Sequence, residues 1–253
     1  MQNGWKRPAP LTKGSTVALI APAGKIPMAE VQTAIRTLEG WGLGVKPGKF
    51  LFSTSHQFAG TDAQRLADLQ HALDDPSIDA IICARGGYGT TRILDRLDFT
   101  KFWLKPKWVV GYSDITALHA HIHRLGVESL HATMPLLFDR DTPQSINSLK
   151  DTLFGKDISY QIPAHPVNRP GQAGGVLIGG NLSLLVTIIG TASDVDTKSK
   201  ILFLEDINEY LYHIDRMMVQ LKRAGKLQHL AGLVVGHFTD SKDNETPFGK
   251  TAY

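Results

Sequence analysis

The fold is decided by the stretch Ile78–Gly89, whose sequence is IDAIICARGGYG. Its first half, Ile78 to Cys83, is nearly all apolar, which is typical of a strand buried on both faces of a parallel sheet. Predicted helices stand on both sides of it. One is capped by Thr61-Asp62 and runs to about Leu73, and the other runs from about Thr90 to Leu97. A strand between two helices predicts a βαβ arrangement.

The same alternation continues through the first half of the chain. An apolar run from Thr16 to Ala21 precedes an amphipathic helix from Met28 to Trp41, which Gly42 closes. A further strand, Trp108 to Val110, leads into a helix from Asp114 to about Arg124. We therefore predict that the first ~140 residues form a parallel sheet covered by helices.

The second half has its own pattern. The segment from Asp141 to Gly174 is rich in proline and polar residues, with one short helix near Ser145 to Leu153. The elements predicted after it are a strand from Gly175 to Asn181, a helix from Leu182 to Ile189, a strand from Ile201 to Leu204, a helix from about Ile207 to Ala224 and a strand from Leu233 to Val235. We predict an N-terminal α/β domain over 1–150, a linker over 151–174 and a C-terminal domain over 175–253. A ligand is expected between the two domains.

Composition excludes several classes of protein. The 253 residues carry 27 Lys and Arg against 24 Asp and Glu, without a basic stripe, so nucleic-acid binding is not expected. No apolar run is long enough to span a bilayer, and the N-terminus lacks an apolar signal-peptide core, so we expect no membrane partner and a cytoplasmic protein. Cys83 is the only cysteine, which excludes a disulfide framework and predicts a small core residue.

Gly111-Tyr112-Ser113-Asp114 places a hydroxyl between an apolar strand and a predicted helix. A serine at a sharp strand-to-helix turn exposes its Oγ beside backbone N–H groups, as an acyl-transfer nucleophile requires. The alternative is an ordinary turn with a helix N-cap, because Ile115 stands where the second glycine of G-x-S-x-G would be.

Arg85-Gly86-Gly87-Tyr88-Gly89 follows the buried strand at the sheet edge where open α/β sheets bind ligands. One interpretation is a phosphate cradle, although neither nucleotide-binding glycine motif is matched. The other is an oxyanion hole, because parallel strands bring their C-terminal loops to the same edge, and the N–H of Gly86 or Gly87 could then face Ser113.

Acidic residues directly follow the strand Ile201 to Leu204. Asp206 or Asn208 could cap the next helix and Glu209 suits its first turn, whereas Glu205 could orient a histidine, as the acid of a serine triad does. His119 and His123 share a helix face and could bind a metal, but no H-E-x-x-H motif accompanies them, so solvated or capping histidines are the favoured interpretation.

Taken together, these motifs resemble the LD-carboxypeptidase family of serine peptidases, which includes murein tetrapeptide carboxypeptidases and microcin-immunity peptidases. The matching segments, in order, are Gly14–Gly24, Ala84–Gly89, Gly111–Asp114, Gly179–Leu182, Leu204–Tyr210 and Gly232–Phe238. The phrase from Leu204 to Tyr210 favours the murein branch.

The resemblance implies a Rossmann-like N-terminal domain, a smaller β-rich C-terminal domain and a homodimer. It implies a Ser-Glu-His triad with Ser113 as nucleophile and Glu205 as acid, and an oxyanion hole built from the N–H groups of Asp114 and the Gly86-Gly87 turn. We group Arg85 with these oxyanion and substrate-binding residues. The implied substrate is a cytoplasmic murein tetrapeptide, cleaved between meso-diaminopimelate and terminal D-alanine, with no cofactor and no metal.

The catalytic histidine is the one family residue without a counterpart. The family carries it in a Gly-His motif some tens of residues past the Gly-x-Phe strand, and none of the ten histidines here matches that motif. His131 follows the nucleophile helix, His213 lies in the long predicted helix and His237 occupies a variable family position. Two hypotheses remain: the sequence is part of a longer peptidase, or the protein binds muropeptides without cleaving them.

Overall fold

The computed structural model describes residues 5–249. The chain divides into two compact units, Met1–Ile158 and Ser159–Tyr253. Each unit is built around its own parallel sheet, five-stranded in the first and three-stranded in the second. The predicted class, a parallel α/β domain followed by a smaller domain, is confirmed.

The first sheet has the strand order β2-β1-β3-β4-β5, and all its strand pairs are parallel. Its strands are β1 (Thr16–Ile20), β2 (Gly44–Pro47), β3 (Ala80–Cys83), β4 (Trp108–Gly111) and β5 (Leu130–His131). The central strands β3 and β4 are buried along their whole length, because helices cover both faces of a parallel sheet.

In the described part of the first unit, six α-helices accompany this sheet: α1 (Gln32–Gly40), α2 (Asp62–Asp74), α3 (Thr91–Leu94), α4 (Thr100–Leu104), α5 (Thr116–Arg124) and α6 (Pro143–Leu153). The start of α2 is set by a capping box, in which Thr61 Oγ1 accepts from the Gln64 N–H while the Gln64 side chain accepts from the Thr61 N–H. Thr142 caps α6 through the N–H of Ser145.

The strand order places a topological switch between β1 and β3, because the chain builds outward from β1 in both directions. In open α/β sheets the crevice at the carboxyl ends of such strands is the usual ligand site. The loops after β1 and β3 meet there, since the Gly24 N–H donates to the Gly86 carbonyl at 3.1 Å. The loop after the next strand, β4, carries Ser113.

The second unit has the strand order β6-β7-β8, again fully parallel. Its elements are β6 (Leu177–Asn181), α7 (Leu182–Thr187), β7 (Ile201–Ile207), α8 (Leu211–Arg223) and β8 (Gly232–Thr239). The side chain of Asn181 caps α7 by accepting from the Leu184 N–H at 3.2 Å.

Several predicted boundaries are wrong. The helix predicted from Ile207 starts at Leu211, because β7 pairs with β8 through Ile207 and the chain then turns at Asn208, whose φ is +66°. The helix predicted from Thr90 to Leu97 is reduced to the single turn of α3. The α-helices predicted from Met28 and from Asp114 each begin with a 3₁₀ turn, so their α-helical parts start later.

Two strands and a helix were not predicted at all. β2 and β5 are short edge strands whose sequences, GVKP and LH, are too brief to show a hydrophobic period, and α4 has only five residues. Within residues 5–249, none of the helices combines the length and apolar character that a bilayer crossing demands.

Candidate active site

Ser113 occupies a strained turn at the end of β4. Tyr112 before it is extended, with φ −152°, whereas Ser113 has φ +60° and opens a 3₁₀ turn that runs into α5. A non-glycine residue in this left-handed region costs of order 1–3 kcal/mol, and such strain concentrates at functional sites. This backbone geometry is the one that a nucleophile elbow requires, in which a serine hydroxyl projects from the turn.

Ile115 explains why the second glycine of G-x-S-x-G is absent. Its fully buried side chain packs on Gly111, where an added Cβ would lie 2.9 Å from Ile115 Cγ1. The small residue needed for close packing is therefore Gly111, at the start of the motif.

The end of β4 is also held by a buried imidazole. His119 Nε2 lies 2.8 Å from the Gly111 carbonyl, so it carries the proton and donates, while Nδ1 accepts from Ser129 Oγ at 2.9 Å. Burial lowers the pKa of His119 to about 4, so the ring is neutral near pH 7. His119 thus holds the Gly111 carbonyl, two residues before Ser113, through one ring nitrogen, and the Ser129 hydroxyl holds the other.

The structure brings the glycine turn against the serine. A Cβ added to Gly86 would lie 3.0 Å from both Cβ and Oγ of Ser113 and 3.5 Å from the Asp114 nitrogen. Gly87 has φ +108° and Gly89 has φ +139°, conformations that glycine adopts readily and other residues rarely do. The turn after β3 and the elbow after β4 are thus in direct contact, which favours the oxyanion interpretation of the turn over the phosphate cradle.

Arg85 lies against the loop that follows β1. Its Nη1 donates to the Lys25 carbonyl at 2.9 Å, and an added Cβ on Gly24 would lie 3.0 Å from its Nε. The guanidinium therefore fastens the turn to the neighbouring loop, a contact that the sequence did not reveal.

The side chain of Asp114, the residue after Ser113, is buried. Its Oδ2 accepts from the Thr90 N–H at 2.9 Å, which ties the elbow to the residue that follows Gly89. Burial raises the pKa of Asp114, and its backbone nitrogen remains beside Gly86 as an oxyanion-hole donor would.

Glu205 lies in the second unit, inside β7 opposite Asn181 of β6. Burial, followed by the charge of Asp206, raises the pKa of Glu205 to about 7, while a hydrogen bond from Asn181 opposes that rise. A partly buried carboxyl group with a pKa raised to near 7 is a candidate functional acid.

Asp206 has a structural role that differs from the predicted one. It does not cap the following helix. Its carboxylate accepts from Asn181 Nδ2 at 2.8 Å, from the Ser183 N–H at 3.0 Å and from the Ile207 N–H at 2.9 Å, so it supports the start of α7. Tyr210, the N-cap of α8, provides no side-chain cap, so the predicted capping by Asp206 or Asn208 is wrong.

The two histidines considered for a metal have separate environments. His119 is held by Gly111 and Ser129, whereas His123 stacks on Trp5 with ring centroids 4.5 Å apart. Over residues 5–249, no three His, Cys, Asp or Glu side chains group as metal ligands would.

The remaining histidine candidates also have defined positions. His131 ends β5 beside Gly111, and its ring centroid lies 5.8 Å from that of Tyr112, the residue before Ser113. His213 lies on α8 and is hydrogen-bonded to Glu209, which precedes that helix. His237 lies in β8.

Sequence reasoning missed one charged residue at this site. Arg65 of α2 is only 1% exposed and contacts the backbone of both loops beside Ser113. The available signal was its spacing, because Arg65 lies on the same helix face as the buried Leu69, Ala72 and Leu73.

Two family models match the chain. The LD-carboxypeptidase N-terminal domain matches residues 17–132 and the LD-carboxypeptidase C-terminal domain matches residues 174–252. The first match contains Ser113 and the glycine turn, and the second contains Glu205.

Similar proteins agree with these matches. A protein of Bacillus subtilis (strain 168) named "Probable murein peptide carboxypeptidase" is 42% identical over 238 residues, which are 92% of this chain and 75% of that protein. The crystal structure of muramoyltetrapeptide carboxypeptidase from Oxalobacter formigenes superposes with a TM-score of 0.83 at 32% identity, covering 91% of this chain and 79% of that one.

A more distant neighbour shares the fold alone. The microcin C7 self-immunity protein MccF superposes with a TM-score of 0.83 at 22% identity, covering 94% of this chain and 82% of that one.

Proposed function

Because this chain belongs to the LD-carboxypeptidase family of peptidases, we propose that it is a serine carboxypeptidase of murein tetrapeptides. It would cleave the L,D bond between meso-diaminopimelate and the terminal D-alanine during cytoplasmic recycling of the cell wall. The observation that carries the proposal is Ser113, held at φ +60° with its Oγ against Gly86. The related tetrapeptide carboxypeptidase from Oxalobacter formigenes supports the choice of substrate.

In the proposed reaction, Ser113 Oγ attacks the carbonyl carbon of diaminopimelate while a base accepts its proton. The negative charge that develops on the carbonyl oxygen is stabilised by backbone N–H groups of Asp114 and the Gly86-Gly87 turn. The protonated base then donates to the nitrogen of the leaving D-alanine. A water molecule, activated by the same base, hydrolyses the acyl-enzyme and restores the serine.

Glu205 is the proposed acid that orients the base. It would accept a hydrogen bond from the imidazole and stabilise the imidazolium that forms when Ser113 loses its proton. Its pKa of about 7 means that both protonation states are accessible near neutral pH. The joint action of Ser113 and Glu205, which lie in different units, rests on the family resemblance.

The base itself is proposed to be a histidine. The resemblance assigns this role to a Gly-His motif beyond Phe238, which residues 1–253 do not contain. His131 is the competing candidate within the first unit, because it lies at the end of β5 beside the residues that lead into Ser113.

The test is release of D-alanine from a defined murein tetrapeptide by the full-length protein, together with covalent labelling by a fluorophosphonate. We expect hydrolysis and one label on Ser113, both lost in Ser113→Ala while tetrapeptide binding remains. Equal labelling of wild type and Ser113→Ala would contradict the assignment. Binding without labelling or hydrolysis would identify a non-catalytic muropeptide-binding protein. Replacing His131, His213 and His237 singly by alanine tests whether any of them is the base.

The resemblance also supports a homodimer as the state in solution. Sedimentation equilibrium of the full-length protein distinguishes a dimer from a monomer, and a mass equal to one chain would contradict this part of the proposal.

A further inference from the structure

Arg65 is a buried cation with no place in the proposed triad. Its side chain is 1% exposed, although it sits on α2, whose other buried positions are mostly apolar. Arginine is almost never buried this deeply unless its donors are paired. The partners that it has taken therefore indicate why it is there.

Two of those partners are main-chain carbonyls on different loops. Arg65 Nη1 donates to the Pro22 carbonyl at 2.6 Å and to the Gly89 carbonyl at 2.8 Å. Pro22 belongs to the loop after β1, and Gly89 ends the glycine turn after β3. A single guanidinium nitrogen thus joins the two loops that meet at the topological switch.

Two further contacts hold the same turn, one at its start and one just after its end. At its start, the Gly86 carbonyl accepts from the Gly24 N–H at 3.1 Å, and just after its end the Thr90 N–H donates to Asp114 Oδ2 at 2.9 Å. The Gly89 carbonyl also accepts from the Arg92 N–H at 3.1 Å, so these four hydrogen bonds constrain the segment from Gly86 to Thr90, and Arg65 supplies the side-chain donor at Gly89.

These constraints matter because the turn itself is permissive. Glycine explores more backbone conformations than any other residue, so a turn with three glycines does not hold its N–H groups in one direction unaided. Oxyanion stabilisation requires donors that are already oriented before the reaction. An external clamp meets that requirement.

A carboxylate and an aromatic ring fix the clamp in turn. Asp62 accepts a hydrogen bond from Arg65 Nη2 and also binds Arg92, whose Nη2 lies 2.8 Å from Asp62 Oδ2. The Arg65 guanidinium lies 5.0 Å from the centroid of the Phe58 ring. A planar guanidinium can serve two carbonyls and a carboxylate at once, which a single ammonium group cannot do with the same geometry.

We infer that Arg65 is a positioning residue, which holds the Gly86–Gly89 turn in the conformation that aims its N–H groups at the oxyanion formed on attack by Ser113. This inference rests on the proposed function. It assigns to a helix outside the triad the task of fixing the oxyanion hole.

The test compares Arg65→Met, Arg65→Lys and the matched control Arg92→Gln in the full-length protein. Arg92→Gln removes the other side-chain partner of Asp62 together with a side-chain hydrogen bond to Tyr88, and it keeps the main-chain N–H that donates to the Gly89 carbonyl. Since misplacement by about 1 Å or loss of one oxyanion donor costs ~100-fold in rate, we expect kcat for tetrapeptide hydrolysis to fall ~100-fold in Arg65→Met and ~10-fold in Arg65→Lys. KM of both Arg65 variants should stay within about threefold of the wild-type value. In Arg92→Gln, kcat should stay within about twofold of wild type.

A spectroscopic measurement reports the turn directly. The backbone amide resonances of Gly86 and Gly87 should shift in both Arg65 variants and stay in place in Arg92→Gln. Thermal unfolding establishes that each variant is folded. If neither Arg65 variant folds, Asp62→Asn replaces them, because the Asp62 side chain is partly exposed. We expect this variant to lose ~3–10-fold in kcat and to shift the same resonances.

The inference and the proposed function fail in different ways. Absence of fluorophosphonate labelling of wild-type Ser113 would contradict the proposed function. Unchanged Gly86 and Gly87 resonances in the folded variants would overturn the positioning role whatever the labelling shows. It would also be overturned if kcat were retained in Arg65→Met, or if Arg92→Gln lost as much activity as Arg65→Met.

Discussion

Replacing Gly86 by alanine is the sharpest single test of the site. The backbone φ of Gly86 is not positive, so alanine introduces no backbone strain there. The added methyl group would instead meet Ser113, because its ideal position lies 3.0 Å from both Cβ and Oγ of that serine. The substitution therefore probes the contact between the turn and the nucleophile and little else.

The magnitude follows from that distance. Carbon contacts become favourable at ~3.5 Å, so either Ser113 or the turn must move by about 0.5 Å. A displacement of about 1 Å at a reacting group costs ~100-fold in rate. We expect kcat/KM for tetrapeptide hydrolysis, and the rate of Ser113 labelling, to fall by ~10–100-fold, or about 1.4–2.8 kcal/mol of transition-state stabilisation.

The assay pairs labelling kinetics with thermal unfolding. Gly40→Ala is the matched control, because nothing lies within 4 Å of its added Cβ at the end of α1. It should keep full reactivity and gain up to ~1 kcal/mol in stability. A folded Gly86→Ala protein that labels as fast as wild type would refute the contact between the turn and Ser113, and with it the oxyanion interpretation.

Three further predictions concern the second unit and the chemistry. Since folding raises the pKa of Glu205 from 4.5 to about 7, the free energy of unfolding should fall as pH rises from about 4.5 to 7. In Glu205→Gln, urea unfolding should show a smaller fall over this pH range. An equal fall in the variant and in wild type would contradict this prediction. Asp206→Ala strips one buried and two partly buried donors of their acceptor and should destabilise the protein by about 2–4 kcal/mol, whereas a loss below ~1 kcal/mol would contradict its supporting role. Activity should survive dialysis against EDTA; loss restored by zinc would revive a role for His119 or His123.

Local signals in the sequence predict the class of the fold correctly, and they mark Ser113 as the candidate nucleophile. Apolar strands such as Ile78 to Cys83, which alternate with helix-period segments, are typical of a parallel sheet covered by helices. Serine in Gly111–Asp114 and the glycines after Cys83 were visible because both are local signals. The ends of the elements were harder to predict. Pairing between β7 and β8 extends the strand through Ile207, although the composition after it is typical of a helix. The edge strands β2 and β5 are too short to show a hydrophobic period.

The packing of the whole sheet, which no local signal shows, brings distant residues such as Arg65 to the turn beside Ser113. The approach of Gly86 to Ser113 was expected, because both follow strands of a parallel sheet, whereas the contacts of Arg65 with the carbonyls of Pro22 and Gly89 depend on the strand order that places β1 beside β3. Strand order is set by the packing of the whole sheet, so no local pattern encodes it. The same reason explains Asp206, whose partners on β6 and α7 are separated from it by more than 20 residues of chain.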